Sequence, residues 1–267
     1  MAVIQGVITL IKNRSLVARM TYKELTDRYA GSALGLFWAF IYPFFLIALY
    51  VLIFTFVFKV NIAAQDTPIR YAFYAICGLI PWISMAEGLM KTISSVFAKA
   101  ALVKQAIFPI DILPVSAALT SLVPLIVGFI LYIVASIILM PSQLTFLLLM
   151  LPVIIFLQFL FTLGVGYFLA IGGVYFRDFS EIMTIIITVG MFVTPILYIE
   201  GMIPWPIAFL MNFNLAAHLI YMYRDVLFYG QINHPWSFLI FSIATILIFI
   251  FGYLAFGKVK HLFSNVL

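Results

Sequence analysis

Glu87 and Lys91 stand four residues apart inside an apolar run, the one place in the hydrophobic stretches where a proton or a cation could be held. A carrier driven by an ion gradient needs such a group, because something within the bilayer must titrate or bind the ion. The same spacing serves a simpler purpose. At i and i+4 the carboxylate meets the ammonium on one helical face, and the lysine stem can snorkel to the nearby inner surface. Other chemistry is scarce. His218, His234 and His261 stand at no metal-ligand spacing, and neither HExxH nor GxSxG occurs. No histidine lies in the long apolar runs to act as base for a nucleophile. The single cysteine, Cys77, excludes an internal disulfide framework and a cysteine-based metal cluster. There is no GxxxxGK[ST] loop to cradle a nucleotide. Gly164-Val165-Gly166 and Gly172-Gly173 lack the strand–turn–helix setting of a dinucleotide fingerprint and suit close helix packing instead. An enzyme and a bound cofactor are not expected, and the energy for any transport has to come from a partner.

The elements that carry these residues are hydrophobic spans. Charged residues make up 9% of the chain, where soluble domains average about 25%, and 66% is hydrophobic. Runs of 18 or more apolar residues recur, each able to cross a ~30 Å hydrocarbon core as a helix. The ten-residue alternation of a membrane β-barrel is missing. We therefore expect a single all-α, polytopic membrane domain with spans at 34–58, 71–94, 115–139, 144–174, 182–199 and 237–256. The segment 202–223 is apolar too, but Pro204, Pro206, Asn212 and Asn214 divide it into pieces of about ten residues, roughly 15 Å each. A re-entrant pair of short helices within 200–234 fits better than a seventh crossing.

Charge bias orients this arrangement. With six spans and both termini cytoplasmic, the inner segments hold eleven of the fourteen lysines and arginines, leaving Lys59, Arg70 and Arg224 outside. The net charge of +5 is thereby explained without nucleic acid. The first residues, MAVIQGVITLIK, lack the basic start of a secretory signal. Val3, Ile4, Val7, Ile8 and Ile11 share one helical face, followed by Lys12, Arg14, Arg19, Lys23 and Arg28; residues 1–30 read as an amphipathic helix on the inner interface, near anionic lipid headgroups. Thr21 and Glu24 have capping-box spacing.

Two inner loops remain. LVKQAIFPIDILP (102–114) breaks the apolar pattern, and 96–106 can form three turns of helix carrying Lys99, Lys104 and Gln105. Phe108 precedes a proline and marks the boundary; Pro109, Asp111 and Pro114 then lead into the next span. A connector needs four to six residues, and nearly twenty are present here. The other loop is tight, with Arg177 at the interface and Asp178 and Glu181 spaced to cap the fifth span.

Along its whole length the chain resembles permeases of type-2 ABC polysaccharide exporters, in particular the O-antigen (Wzm-like) branch, with capsule and teichoic-acid permeases as relatives. The residues that carry the likeness are DRYAGSALGLFWAFIYP (27–43), GLIPW (78–82), FPIDILP (108–114), FRD (176–178), TPILY (194–198) and YRDVLFYG (223–230). The resemblance implies a half-transporter in the bacterial inner membrane. Two copies would form the channel, two copies of a cytoplasmic ATPase would bind ATP and magnesium, and a lipid-linked polysaccharide would be exported. It implies an interface helix with Arg19, Lys23 and Arg28. It also implies a coupling loop over 96–113 that engages the ATPase through Lys99, Lys104, Gln105, Phe108, Pro109 and Asp111, with Arg177 and Asp178 beside it. Short outer gate helices would carry Pro204, Trp205, Asn212, Asn214, Arg224 and Asp225. The chain departs from the family at Leu215, where many relatives have proline, and at Ile110, where a basic residue is common. A sugar polymer needs aromatic faces with polar tips along a wet passage; Trp38, Tyr42, Phe45, Leu49 and Phe56 share one face of the first span, and Tyr198 ends the fifth. A type-2 ABC permease for a drug or lipid and an ion-coupled carrier centred on Glu87 are the alternatives.

Overall fold

The structure is a computed structural model describing residues 2–58, 68–104, 108–140, 145–176, 178–199 and 204–267. The described residues form helices α1 (Ala2–Lys12), α2 (Arg14–Arg28), α3 (Trp38–Leu52), α4 (Pro68–Ser94), α5 (Ala100–Val103) and α6 (Ile112–Leu139). They continue with α7 (Leu151–Tyr175), α8 (Phe179–Val193), α9 (Trp205–Met211), α10 (Leu215–Arg224), α11 (Pro235–Val259) and α12 (Phe263–Val266). Five of the helical segments are long and apolar enough to cross a membrane, and α8 is a shorter apolar helix. The chain is an all-α, multi-pass membrane protein.

Helix α4 forms the centre. Every residue from 71 to 82 is buried, and α6, α7, α8 and α10 pack around it. A helix apolar on all sides belongs in the interior, and the small residues Ala72, Ala75, Cys77, Gly78 and Gly88 let its neighbours approach. The closest approach elsewhere is between α7 and α11. A methyl group on Gly164 would stand 2.7 Å from the Phe249 Cα, and one on Gly252 would overlap the Gly164 carbonyl oxygen. Gly173 faces the Ile93 carbonyl in the same way. The expectation that Gly164, Gly166, Gly172 and Gly173 serve packing is met. In contrast, α3 buries only Ala39 and Pro43 and turns all its aromatic residues but Tyr50 outward.

Several local expectations are corrected. The amino-terminal element is two helices, because Asn13 turns its side-chain amide to the Thr9 carbonyl (2.8 Å) and ends α1. Thr21 and Glu24 lie within α2, so they cap nothing; Glu24 is used elsewhere, as described below. The 96–106 stretch is not one three-turn helix. A 3-10 turn over Phe97–Lys99 gives way to the single turn of α5, since Lys99 leaves helical geometry at φ −115° and ψ 31°. The fifth span stops at Val193 rather than Ile199. Thr194 turns extended (ψ 138°), and α8 is about 22 Å long. Asp178 occupies the N-cap position of α8, but its side chain makes no capping bond.

Candidate functional site

At the basic end of the bundle, Glu87 is the hub of an ion cluster. It accepts from Lys91 Nζ at 2.8 Å, the pairing expected from the spacing, and also from Arg28 at the end of α2. Lys91 donates onward to Thr120 Oγ1 (3.0 Å) in α6. Arg28 lies 5.5 Å from the Tyr29 ring centre, and burial pushes the Tyr29 phenol above its ordinary range, with the Arg28 charge opposing and the Glu87 charge adding. A carboxylate held by two cations from two elements is a fastener. Neutralising it in Glu87→Gln is expected to cost about 1–3 kcal/mol and to raise hydrogen exchange across α2. Unchanged exchange there, together with a melting temperature equal to the parent's, contradicts that role.

The loop between α4 and α6 is gripped from two directions. Lys99 Nζ reaches Glu24 Oε2 of α2 at 2.8 Å, and Asp111, buried at the start of α6, pairs with Lys260 beyond the last span. Val96 and Val103 are buried with Val17 of α2 in a second apolar cluster. Phe108, Pro109 and Ile110 are half-buried, with the Pro109 carbonyl taking the Ile112 N–H (3.1 Å). Lys104 is exposed, as are Arg19 and Lys23 on α2 and Asp178 at the start of α8. Gln105 and Arg177 lie outside the described residues. Ile110 joins the fringe of the apolar cluster, which gives the missing cation a physical substitute in packing.

At the opposite end the structure revises two positions. Arg224 and Asp225, expected on the outer gate helices, are completely buried. The Arg224 guanidinium lies 3.6 Å from the centre of the Tyr74 ring and donates to the Ile196 carbonyl at 2.8 Å. Asp225 accepts from the backbone N–H groups of Asn233 (3.0 Å) and His234 (2.8 Å) and pairs with His234 Nδ1 (2.9 Å). The irregular segment 194–198 is thereby satisfied by protein. Tyr71 donates to the Leu197 carbonyl, Tyr74 to that of Tyr198 (3.3 Å), and Asn214 Nδ2 to Thr194 Oγ1 (3.0 Å). Non-helical backbone at membrane depth persists only where side chains meet its polar groups in this way. Asn214 also caps α10, accepting from Ala216 N at 3.0 Å, and Leu215 follows at the first helical position, where proline is equally at home.

Other side chains settle in unforeseen places. Tyr198 turns its hydroxyl to the Val193 carbonyl (3.0 Å), closing the end of α8. His218 links the Asn212 carbonyl to Ser237 Oγ, both at 2.9 Å. Gln158 donates to the Pro81 carbonyl (3.0 Å) and accepts from Tyr223 OH (2.7 Å). The sequence signal for Gln158 was its standing as the single amide within the fourth apolar run. Pro204, Trp205 and Asn212 are exposed, with the Trp205 ring stacked on Phe209 at 6.2 Å. Trp38, Tyr42, Phe45, Leu49 and Phe56 all lie on the exposed side of the first span. Among the described residues no cluster of three His, Cys, Asp or Glu side chains could hold a metal ion.

Comparison with known proteins agrees with this architecture. The family model described as ABC-2 type transporter matches residues 15–228. An O-antigen export system permease protein RfbA of Klebsiella pneumoniae is 28% identical over 258 residues, 94% of this chain and 95% of the relative. A protein of the same name from Myxococcus xanthus is 32% identical over 189 residues, 71% of this chain and 70% of the relative.

Proposed function

This chain belongs to the ABC-2 type transporter family, and from that premise we propose that it is the membrane-spanning subunit of an ATP-driven exporter of lipid-linked, O-antigen-like polysaccharide. The observation that carries the reading is the end-to-end likeness to an O-antigen export permease, which covers 94% of this chain. On this reading ATP and magnesium bind a separate ATPase at the basic end. Two copies of the permease and two of the ATPase make up the transporter. It works in the bacterial inner membrane, with the basic end and both termini in the cytoplasm.

On this reading the loop over 96–111 receives the ATPase. Its grip by α2 and by Lys260 supports the role, since a stroke delivered to a loop tied into the bundle moves the spans with it. The exposed aromatic face of α3, with Trp38, Tyr42 and Phe45, supplies stacking surfaces for sugar rings once a second copy encloses the passage. The segment 204–214 at the opposite end, with Trp205 and Phe213 exposed, gates the exit. Glu87 is already tied to two cations, which weighs against an ion-coupled cycle centred on it.

The test is reconstitution with the ATPase and lipid-linked glycan in proteoliposomes. Phe108→Ala/Pro109→Ala is expected to lower export per ATP about ten-fold while insertion in the membrane persists. ATP-dependent export at the parental rate in that variant removes the loop's role. A transporter that moves a lipid or drug but no glycan under ATP assigns the other substrate class, and export that continues with an ATPase-null partner overturns the ABC reading altogether.

A further inference from the structure

The chain beyond the last span enters the reading above only through Lys260, yet more of it is built into the loop that receives the ATPase. Phe263 is completely buried, its ring 5.5 Å from that of Phe256 and 6.4 Å from that of Tyr175. It belongs to the apolar cluster that also holds Val103 of α5, and α12 packs directly on α5. Lys260 reaches back to Asp111, a carboxylate whose side chain is 6% exposed and whose Oδ1 has no hydrogen-bond partner among the described residues. A buried carboxylate left without its cation is strongly disfavoured, so this ion pair fixes the far end of the loop. The near end is tied to α2 through Lys99 and Glu24. One end of the loop thus depends on a segment about 150 residues away in sequence.

We propose that residues 260–267 are a positioning element, holding the 96–111 loop in the attitude in which it takes force from the ATPase through the Lys260–Asp111 pair and the buried Phe263 ring. This rests on the reading of that loop as the ATPase seat. Lys260 and Phe263 touch neither glycan nor nucleotide and act through the loop, so their loss disturbs the transmission of hydrolysis while hydrolysis itself continues.

The experiment uses the complete transporter in proteoliposomes, in a Cys77→Ser background with a cysteine at the exposed position 101 (Ala101→Cys) on α5. That cysteine carries a nitroxide in one arm and a cross-linker to the ATPase in the other. Lys260→Met and Phe263→Ala are each expected to mobilise the nitroxide and to lower export per ATP about ten-fold. Lys260→Arg, which keeps the charge, is expected to restore both. A nitroxide unmoved by Lys260→Met and Phe263→Ala overturns the proposal, whatever happens to export. Loss of the permease from the membrane in Lys260→Arg as well as in Lys260→Met assigns the segment to folding alone and also overturns it. A parent protein that forms no cross-link from position 101 removes the ATPase-seat reading instead, so the two failures are distinguishable.

Discussion

Asp225→Ala is expected to destabilise the folded chain by about 3–5 kcal/mol, most of the margin by which an ordinary fold survives. The carboxylate is fully buried and satisfies three donors at the turn that leads from α10 into α11. Alanine takes from the Asn233 and His234 backbone N–H groups the carboxylate that the structure gives them. It also removes the negative charge adjoining Arg224, whose guanidinium is equally buried and has its Nε and Nη1 unpartnered among the described residues. Asp225→Asn separates charge from geometry. Its amide oxygen can still take the two backbone donors, and its NH2 group can donate to His234 Nδ1 once the imidazole carries its proton on Nε2. The asparagine variant is therefore expected to lose about 1–2 kcal/mol, the difference between charged and neutral hydrogen bonds. Membrane abundance and thermal unfolding in detergent decide the matter. An alanine variant with parental abundance and an unshifted transition shows that the Asp225 bonds do not support the turn.

The second large effect is expected at the contact between α7 and α11. Overpacking a well-packed site costs about 1–3 kcal/mol when side chains can yield. At Gly252 the obstruction is the Gly164 carbonyl oxygen, backbone that cannot rotate aside. Gly252→Val is accordingly expected at or above the top of that range, with the two helices forced apart. Gly257 provides the control on the same helix. A methyl group there meets nothing within 4 Å, and Gly257→Ala is expected to be neutral or to stabilise by about 0.5–1 kcal/mol. Because α11 leads to Lys260, a separated α7–α11 pair also displaces the partner of Asp111. Equal melting temperatures for the Gly252→Val and Gly257→Ala proteins contradict the close-packing account.

Much of this could be read from the sequence because it depends on local pattern. The apolar runs mark the spans, since each must satisfy its own backbone in lipid. Glu87 and Lys91 meet because i and i+4 share a helical face, as the structure bears out. Asn212 and Asn214 divide the 202–223 segment between α9 and α10, while Pro204 and Pro206 mark where α9 begins. Local pattern also misled. Thr21 and Glu24 matched a capping box inside a continuing helix, because spacing alone does not say where a helix begins. A hydrophobic run to Ile199 likewise concealed the end of α8 at Val193, where Thr194 leaves helical geometry and the turn that follows is held by Tyr71, Tyr74, Asn214 and Arg224.

The sequence by itself determined the solvent in which this protein lives, its helical class, the basic character of one end and the absence of a nucleotide-binding loop. Each follows from composition or short spacing. Tertiary structure alone decided which long-range partners the charges take. Glu24 and Lys99 are 75 residues apart, Arg28 and Glu87 59, and Asp111 and Lys260 149. No periodicity encodes such distances. The desolvation cost of a buried charge determines only that some partner must be found, and packing determines which one. That is why Arg224 and Asp225, expected on the outer gate helices from the family resemblance, prove to be the most deeply buried charges among the described residues.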